Sequence, residues 1–166
     1  MQKIVVIGST GSGKSTLAEQ LAARLDVPYI PTDPLYWGKG WRRVPFTEVH
    51  NRIAEVTAQP LWVLDGNFDD AREVVWRRAD TLIWLDYPRC VVWPRLVRRN
   101  LGWWVSGRPT WSGNRMTLRV ALSGIRHGLR GYSAKRRLYP EWLSSCGALV
   151  IRFRSPVEAA VWLADS

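Results

Sequence analysis

The chain has 166 residues, 46% of them apolar, which allows one domain with a substantial core and excludes a disordered chain. No apolar run approaches the roughly 18–20 residues that span a bilayer, so no membrane association is expected. The net charge is +10, split unevenly: residues 1–88 hold ten Lys/Arg against eleven Asp/Glu, residues 89–166 fourteen against three. Such a basic second half favours a polyanionic partner, whether nucleotide phosphates or nucleic acid, or it is a solvated basic face. The run after Met1-Gln2-Lys3 is too short for an export signal. Cys90 and Cys146 have no metal-type spacing and read as reduced thiols of a cytoplasmic protein.

Ile4–Ile7 is a β-branched run, as expected of a strand buried on both faces of a parallel sheet. A glycine-rich loop follows, then a helical pattern from Lys14 to Leu25 with Leu17, Leu21 and Leu25 at i+4, ended by Asp26-Val27-Pro28. Tyr29-Ile30 reads as a short second strand ending at Pro31–Pro34. Phe46, Val49, Ile53 and Val56 form one helical stripe, with Thr47 a candidate cap. Leu61–Leu64 is a third strand ending at Asp65-Gly66-Asn67, followed by a short helix over Asp70–Ala79. Thr81–Leu85 is a fourth strand, ending at Asp86. Pro88–Leu143 is Arg-rich and helical, with a break expected near Gly102–Gly113. Ala148–Phe153 is a fifth strand, and Ser155-Pro156-Val157-Glu158 opens a last helix as N-cap, N1 and N3.

Strands alternating with helices predict right-handed βαβ crossovers and a parallel sheet covered on both faces. Polar groups recur where the strands end: Gly8–Thr16, Asp33, Asp65 and Asp86. In open α/β sheets that edge holds the ligand crevice, so one site built from several loops is expected.

Gly8-Ser9-Thr10-Gly11-Ser12-Gly13-Lys14-Ser15 fits G-x-x-x-x-G-K-[ST] in full, after a predicted strand and before a predicted helix. The glycines let backbone N–H groups turn inward onto phosphate oxygens, and the helix offers its positive end to the same anion. Lys14 is expected on the β- and γ-phosphates of ATP, and the Ser15 hydroxyl on Mg²⁺, with Thr16 completing the loop. No guanine-type Asn-Lys-x-Asp follows the later strands, which argues against a GTPase.

The chain resembles the nucleoside monophosphate kinase-like fold of adenylate, shikimate and gluconate kinases. Within it, the small DNA topology modulation (FlaR-type) proteins are the nearest resemblance. The residues that carry it are Val5–Thr16, Asp33-Pro34-Leu35-Tyr36-Trp37 with Gly40-Trp41, and Trp62–Asn67. Ile83–Arg89 with Arg95, Arg98 and Arg99, and Arg152–Ser155, complete it. The resemblance implies a three-layer α/β fold with a five-stranded parallel sheet of order 2-3-1-4-5 and an Arg-rich helical lid. It implies one domain, with a core over 1–100 and 146–166 and the lid over about 101–145.

The same resemblance implies that Asp65 acts on Mg²⁺; the alternative is that Asp65-Gly66-Asn67 is only a turn capping the next helix. It puts Asp33 at the carboxylate that contacts the acceptor hydroxyl, where capping a turn is the alternative. Shikimate kinases carry a second acid two positions earlier; Pro31 stands there in this chain. Tyr36 and Trp37, with Trp41 and neighbouring cations, either face the acceptor together with Asn67 or pack helices together. Arg95, Arg98 and Arg99 share one helix face, and Arg108 lies in the expected flap; these are the phosphate-binding candidates. Arg154 falls where this fold lines the adenine pocket. Arg115, Arg119, Arg126 and Arg130 read as an exposed basic face. The leading expectation is an ATP-dependent kinase acting on a small hydroxyl or phosphate acceptor. A nucleotide-gated nucleic-acid-binding regulator and a plain NTPase stand as alternatives.

Overall fold

The computed structural model describes residues 1–68 and 71–165. Five parallel strands, β1 (Lys3–Gly8), β2 (Tyr29–Pro31), β3 (Trp62–Asp65), β4 (Thr81–Leu85) and β5 (Leu149–Phe153), form one sheet in the order β2-β3-β1-β4-β5. The expected order is therefore the observed one. Around it lie α1 (Lys14–Leu25), α2 (Asp33–Tyr36), α3 (Phe46–Ala58), α4 (Arg72–Arg78), α5 (Arg89–Ser106), α6 (Leu118–Ser144) and α7 (Pro156–Asp165). Two 3₁₀ turns, Lys39–Trp41 and Trp111–Gly113, complete the elements.

Successive strand residues point to opposite faces, so Ile4–Ile7 feeds two cores. Val5 and Ile7, with Trp62, Leu64, Leu82 and Trp84, pack under α3, α4 and the end of α6. Ile4 and Val6, with Val63, Ile83 and Leu85, pack under α1, α7 and the start of α5. All four residues of the run are fully buried, and each such side chain contributes about 1.5–3 kcal/mol. That burial holds β1 in the centre of the sheet and aims its C-terminal end, the glycine loop, at the crevice. Among the described residues, no helix is long and apolar enough to cross a membrane.

Four boundaries differ from the sequence expectation. Thr47 does not cap α3; Pro45 stands at the N-cap, and its carbonyl takes the first helical bond from Val49 N–H at 3.0 Å. Phe46, expected in the buried stripe, is exposed, and the stripe runs through Val49, Ile53 and Thr57 instead. Gly102 does not break the helix after β4. One helical glycine costs only about 1 kcal/mol, and α5 continues to Gly107, which takes the left-handed φ of 59° that ends it. The helix expected over Asp70–Ala79 is observed from Arg72, and Asp70 lies outside the described residues.

Candidate active site

The glycine loop leaves β1 at Gly8 and enters α1 through Gly13, whose φ of 94° only glycine adopts without strain. Lys14 Nζ donates to the carbonyls of Gly8 and Ser9, each at 3.0 Å, so the ammonium lies inside the loop's curl. Asn67 Oδ1 accepts from Gly8 N–H at 3.1 Å and braces the loop from β3. Asn67 thus has a fixed structural partner.

Ser15, in the first turn of α1, donates its hydroxyl to Asp65 Oδ2. Asp65 is buried at the end of β3, opposite Val6 in the register, and its other oxygen accepts from Thr32 N–H at 3.0 Å. The Tyr29 hydroxyl reaches the same Ser15–Asp65 pair, and burial with the Asp65 charge pushes its pKa up. Serine hydroxyl and carboxylate are the oxygen donors that a hard divalent cation prefers.

Lys14 stands among four further charges. Burial, then Lys135, holds its pKa down to about 8; Asp65 and Asp33 oppose that, and Arg99 adds to it. Asp33 opens α2, and burial, then the charge of Asp65, holds its carboxyl above the usual range against Lys14 and Arg99. Burial lowers Arg99, with Asp33 in opposition. The charges of residues from α1, α2, β3, α5 and α6 therefore act on one another at this edge of the sheet.

A cleft of about 1130 Å³ runs from the loop to α7. Gly11–Leu17 form its floor. Arg95, Arg98 and Arg99 of α5 line one wall, with Trp103 and Trp111. Its far end is apolar, made by Pro156, Ala159, Ala160 and Leu163 of α7. That end suits a flat ring and the loop end suits its phosphates.

No family model matches the chain, and no curated protein matches it. Among solved structures it is similar to shikimate kinase from Acinetobacter baumannii in complex with shikimate, with a TM-score of 0.57 and 15% identity over 99% of this chain and 90% of that one. It is also similar to a gluconokinase from Sinorhizobium meliloti 1021, with a TM-score of 0.56 and 19% identity over 99% of this chain and 92% of that one. The likeness, with the 2-3-1-4-5 strand order, decides the fold. This is the P-loop kinase fold.

Within the P-loop kinase fold, several sequence-derived candidates sit away from the cleft. Arg108 is exposed after α5 and is not part of the cleft lining. Arg154 is also exposed; its backbone N–H goes to Glu158, in the capping box that starts α7. Tyr36 packs against the core under α3. Trp37 stacks edge-on to Trp41 with ring centroids 5.9 Å apart. Asp86 is buried and holds Arg152 at 2.5 Å and Arg136 at 2.9 Å, which ties β4, β5 and α6 together. Arg115, Arg119, Arg126 and Arg130 are exposed, as expected.

Two residues that sequence reasoning passed over act on these candidates. Lys135 lies in α6 between the buried Tyr132 and Tyr139, folds back to within 4.0 Å of the space above Gly131, and acts on Lys14. It is the one lysine among the fourteen cations of the basic half, which was a readable signal. Tyr29 had no such signal, because its role depends on the pairing of β2 with β3.

Proposed function

We propose that this chain is an ATP-dependent kinase that transfers the γ-phosphoryl group to a small acceptor bearing a hydroxyl or a phosphate, nucleotides and nucleosides included. The observation that carries the reading is Lys14 inside the loop's curl with Ser15 bonded to buried Asp65, and the charges of Asp33 and Arg99 acting on the same lysine. A bare nucleotide-binding loop needs no second carboxylate acting on its lysine, as the half-buried Asp33 does here. Within the resemblance to DNA topology modulation proteins, the Asp33–Trp37 and Asp65–Asn67 segments are the most specific to that group.

In this reading ATP lies along the cleft with its base against α7 and its phosphates in the Gly8–Thr16 loop. Lys14 takes the β- and γ-phosphates. Ser15 and Asp65 would hold Mg²⁺, which when bound neutralises charge between those phosphates. Asp33 accepts the acceptor's proton as its oxygen bonds to γ-phosphorus, while the bond to the bridging oxygen breaks and ADP leaves. Arg95, Arg98 and Arg99 stabilise the charge on the transferred group through bidentate contacts. Arg99 is the one beside Asp33.

We take the chain as one domain, with core 1–100 and 146–166 and lid about 101–145. Residues 107–117 are the covering part of the lid; Tyr132, Tyr139 and Leu143 of α6 belong to the core clusters. A cytoplasmic setting supplies the ATP. The test is a screen of nucleosides, nucleoside monophosphates, sugars and small hydroxy acids by ADP release, with a no-acceptor control. Acceptor-dependent release that vanishes in Lys14→Ala supports the reading. Release that ignores the acceptor overturns it in favour of a plain NTPase.

A further inference from the structure

Residues 37–43 and 109–115, 66 or more positions apart in the chain, share one backbone design. Each loop is closed by an antiparallel bridge, Trp37 with Arg43 and Pro109 with Arg115. Each turns through two consecutive left-handed residues at equivalent places: Gly40 (φ 70°) and Trp41 (57°), then Ser112 (55°) and Gly113 (73°). Each carries the same inner bond, Gly38 N–H to Arg42 O at 2.9 Å and Thr110 N–H to Asn114 O at 2.7 Å.

The two loops are docked face to face. Asn114, only 5% exposed, accepts at Oδ1 from Gly40 N–H (2.6 Å) and Trp41 N–H (3.2 Å) and donates from Nδ2 to Gly38 O (2.9 Å). Two donors facing Oδ1 and a carbonyl facing Nδ2 leave the amide one orientation. Trp41 Nε1 donates to Arg115 O at 3.0 Å, and Ser112 Oγ to Trp37 O at 2.5 Å. A left-handed Trp and Ser each cost about 1–2 kcal/mol, and they persist where surrounding contacts fix them. Two of the four left-handed non-glycine residues among those described, Trp41 and Ser112, lie in this junction.

An aromatic series leads from the junction to the charged cluster. Trp41 meets Trp111 edge-on at 6.1 Å, Trp111 meets Trp103 at 5.1 Å, and the Arg99 guanidinium lies 5.0 Å from the Trp103 ring centre. Arg99 lines the same cleft as Lys14, and its charge acts on Lys14 and Asp33. A ligand that fixes Arg99 therefore acts on a continuous series of ring contacts that ends in the 37–43 loop.

We propose that Asn114 is a positioning residue that joins the lid loop to the 37–43 loop, which follows Asp33 and α2, so that a nucleotide on the phosphate loop orders both loops together. The proposal rests on the nucleotide-binding half of the reading above and not on phosphoryl transfer.

The test is hydrogen exchange over segments 36–44 and 107–117, with and without Mg²⁺ and a non-hydrolysable ATP analogue. In the wild type the analogue slows both segments together. In Asn114→Ala the Gly40 and Trp41 amides exchange about tenfold faster, and the analogue slows only 107–117. Ser112→Ala removes one bond from an exposed position, so the fold survives it, and it shows the same uncoupling to a smaller degree. Slowing of 36–44 to the wild-type extent in both variants overturns the proposal, as does a wild type in which the analogue leaves either segment unchanged. Once an acceptor is known, Asn114→Ala raises its KM and leaves the KM for ATP near the wild-type value. A wild type that binds nucleotide but transfers to nothing sinks the kinase reading alone. Transfer without coupled exchange sinks this proposal alone.

Discussion

Lys14 shows how far one residue's chemistry is set by the whole site. Burial and Lys135 lower its pKa to about 8, against Asp65 and Asp33 and with Arg99. A polyphosphate placed against Lys14 favours the charged form and raises that pKa. Above about pH 8 the free protein has therefore lost a proton that the complex keeps, so binding takes one up. Affinity for ATP should fall as pH rises past 8, by up to about tenfold per pH unit. Calorimetry in two buffers of different ionisation enthalpy measures that uptake. Lys135→Met should shift the onset to higher pH; an unmoved onset would show that Lys135 does not act on Lys14. Asp33 has the opposite signature. Its carboxyl is held above the usual range, so the folded state holds its proton more tightly than the unfolded one, and stability falls as pH rises through that window. Asp33→Asn should therefore raise Tm while lowering transfer by about a hundredfold or more, with ATP affinity within about twofold. Equal losses in transfer and ATP binding would sink the proton-acceptor role.

At the scale of elements, the packing of α5 on the glycine loop constrains a position that the motif leaves open. G-x-x-x-x-G-K-[ST] allows any residue at 11, yet a Cβ on Gly11 would lie 2.8 Å from the Val92 carbonyl and 3.0 Å from Leu96 Cβ, at a φ of 92°. Neither the backbone carbonyl nor the strain can be relieved by a rotamer change. Gly11→Ala should cost about 2–4 kcal/mol and lower Tm by about 5–15 °C, with nucleotide affinity falling as the loop is displaced. Ser9→Ala, in the same loop, should melt within a degree or two of wild type. Circular dichroism melts compare the two. The same contrast marks what was legible in the sequence. β1, the loop, α1 and β4 could be read because short-range signals agree: β-branched runs, a motif in register and a leucine stripe at i+4. The break between α5 and α6 falls at 107–117, overlapping the expected 102–113 but starting later, because Gly102 looks like Gly107 in sequence and only Gly107 takes the left-handed turn. Asn114 carried no signal at all, since its partners lie 73–76 residues earlier.

Over the whole molecule, the surplus of positive charge divides by location into separate jobs. Arg136 and Arg152 neutralise the buried Asp86, and Arg89 lies over Trp93 and Tyr132 while bonding Ser133. Arg95, Arg98 and Arg99 face the cleft. Arg119, Arg126 and Arg130 remain on the exposed side of α6 and line no part of the cleft. If the chain acts on a small acceptor, this outer face is a solvated surface that keeps the protein soluble and repels itself mildly. Replacing Arg119, Arg126 and Arg130 together by glutamine should then leave ATP affinity and transfer within about twofold, with Tm unchanged or slightly raised. Raising salt from 50 to 200 mM should weaken acceptor binding only modestly in both proteins. A nucleic acid held by six to ten phosphate contacts would instead lose about 10³- to 10⁵-fold in affinity over that range, with a slope that shrinks as each arginine is removed. A steep slope in the wild type that flattens in the triple variant would place the acceptor on α6 rather than at Asp33, and would overturn the small-acceptor reading.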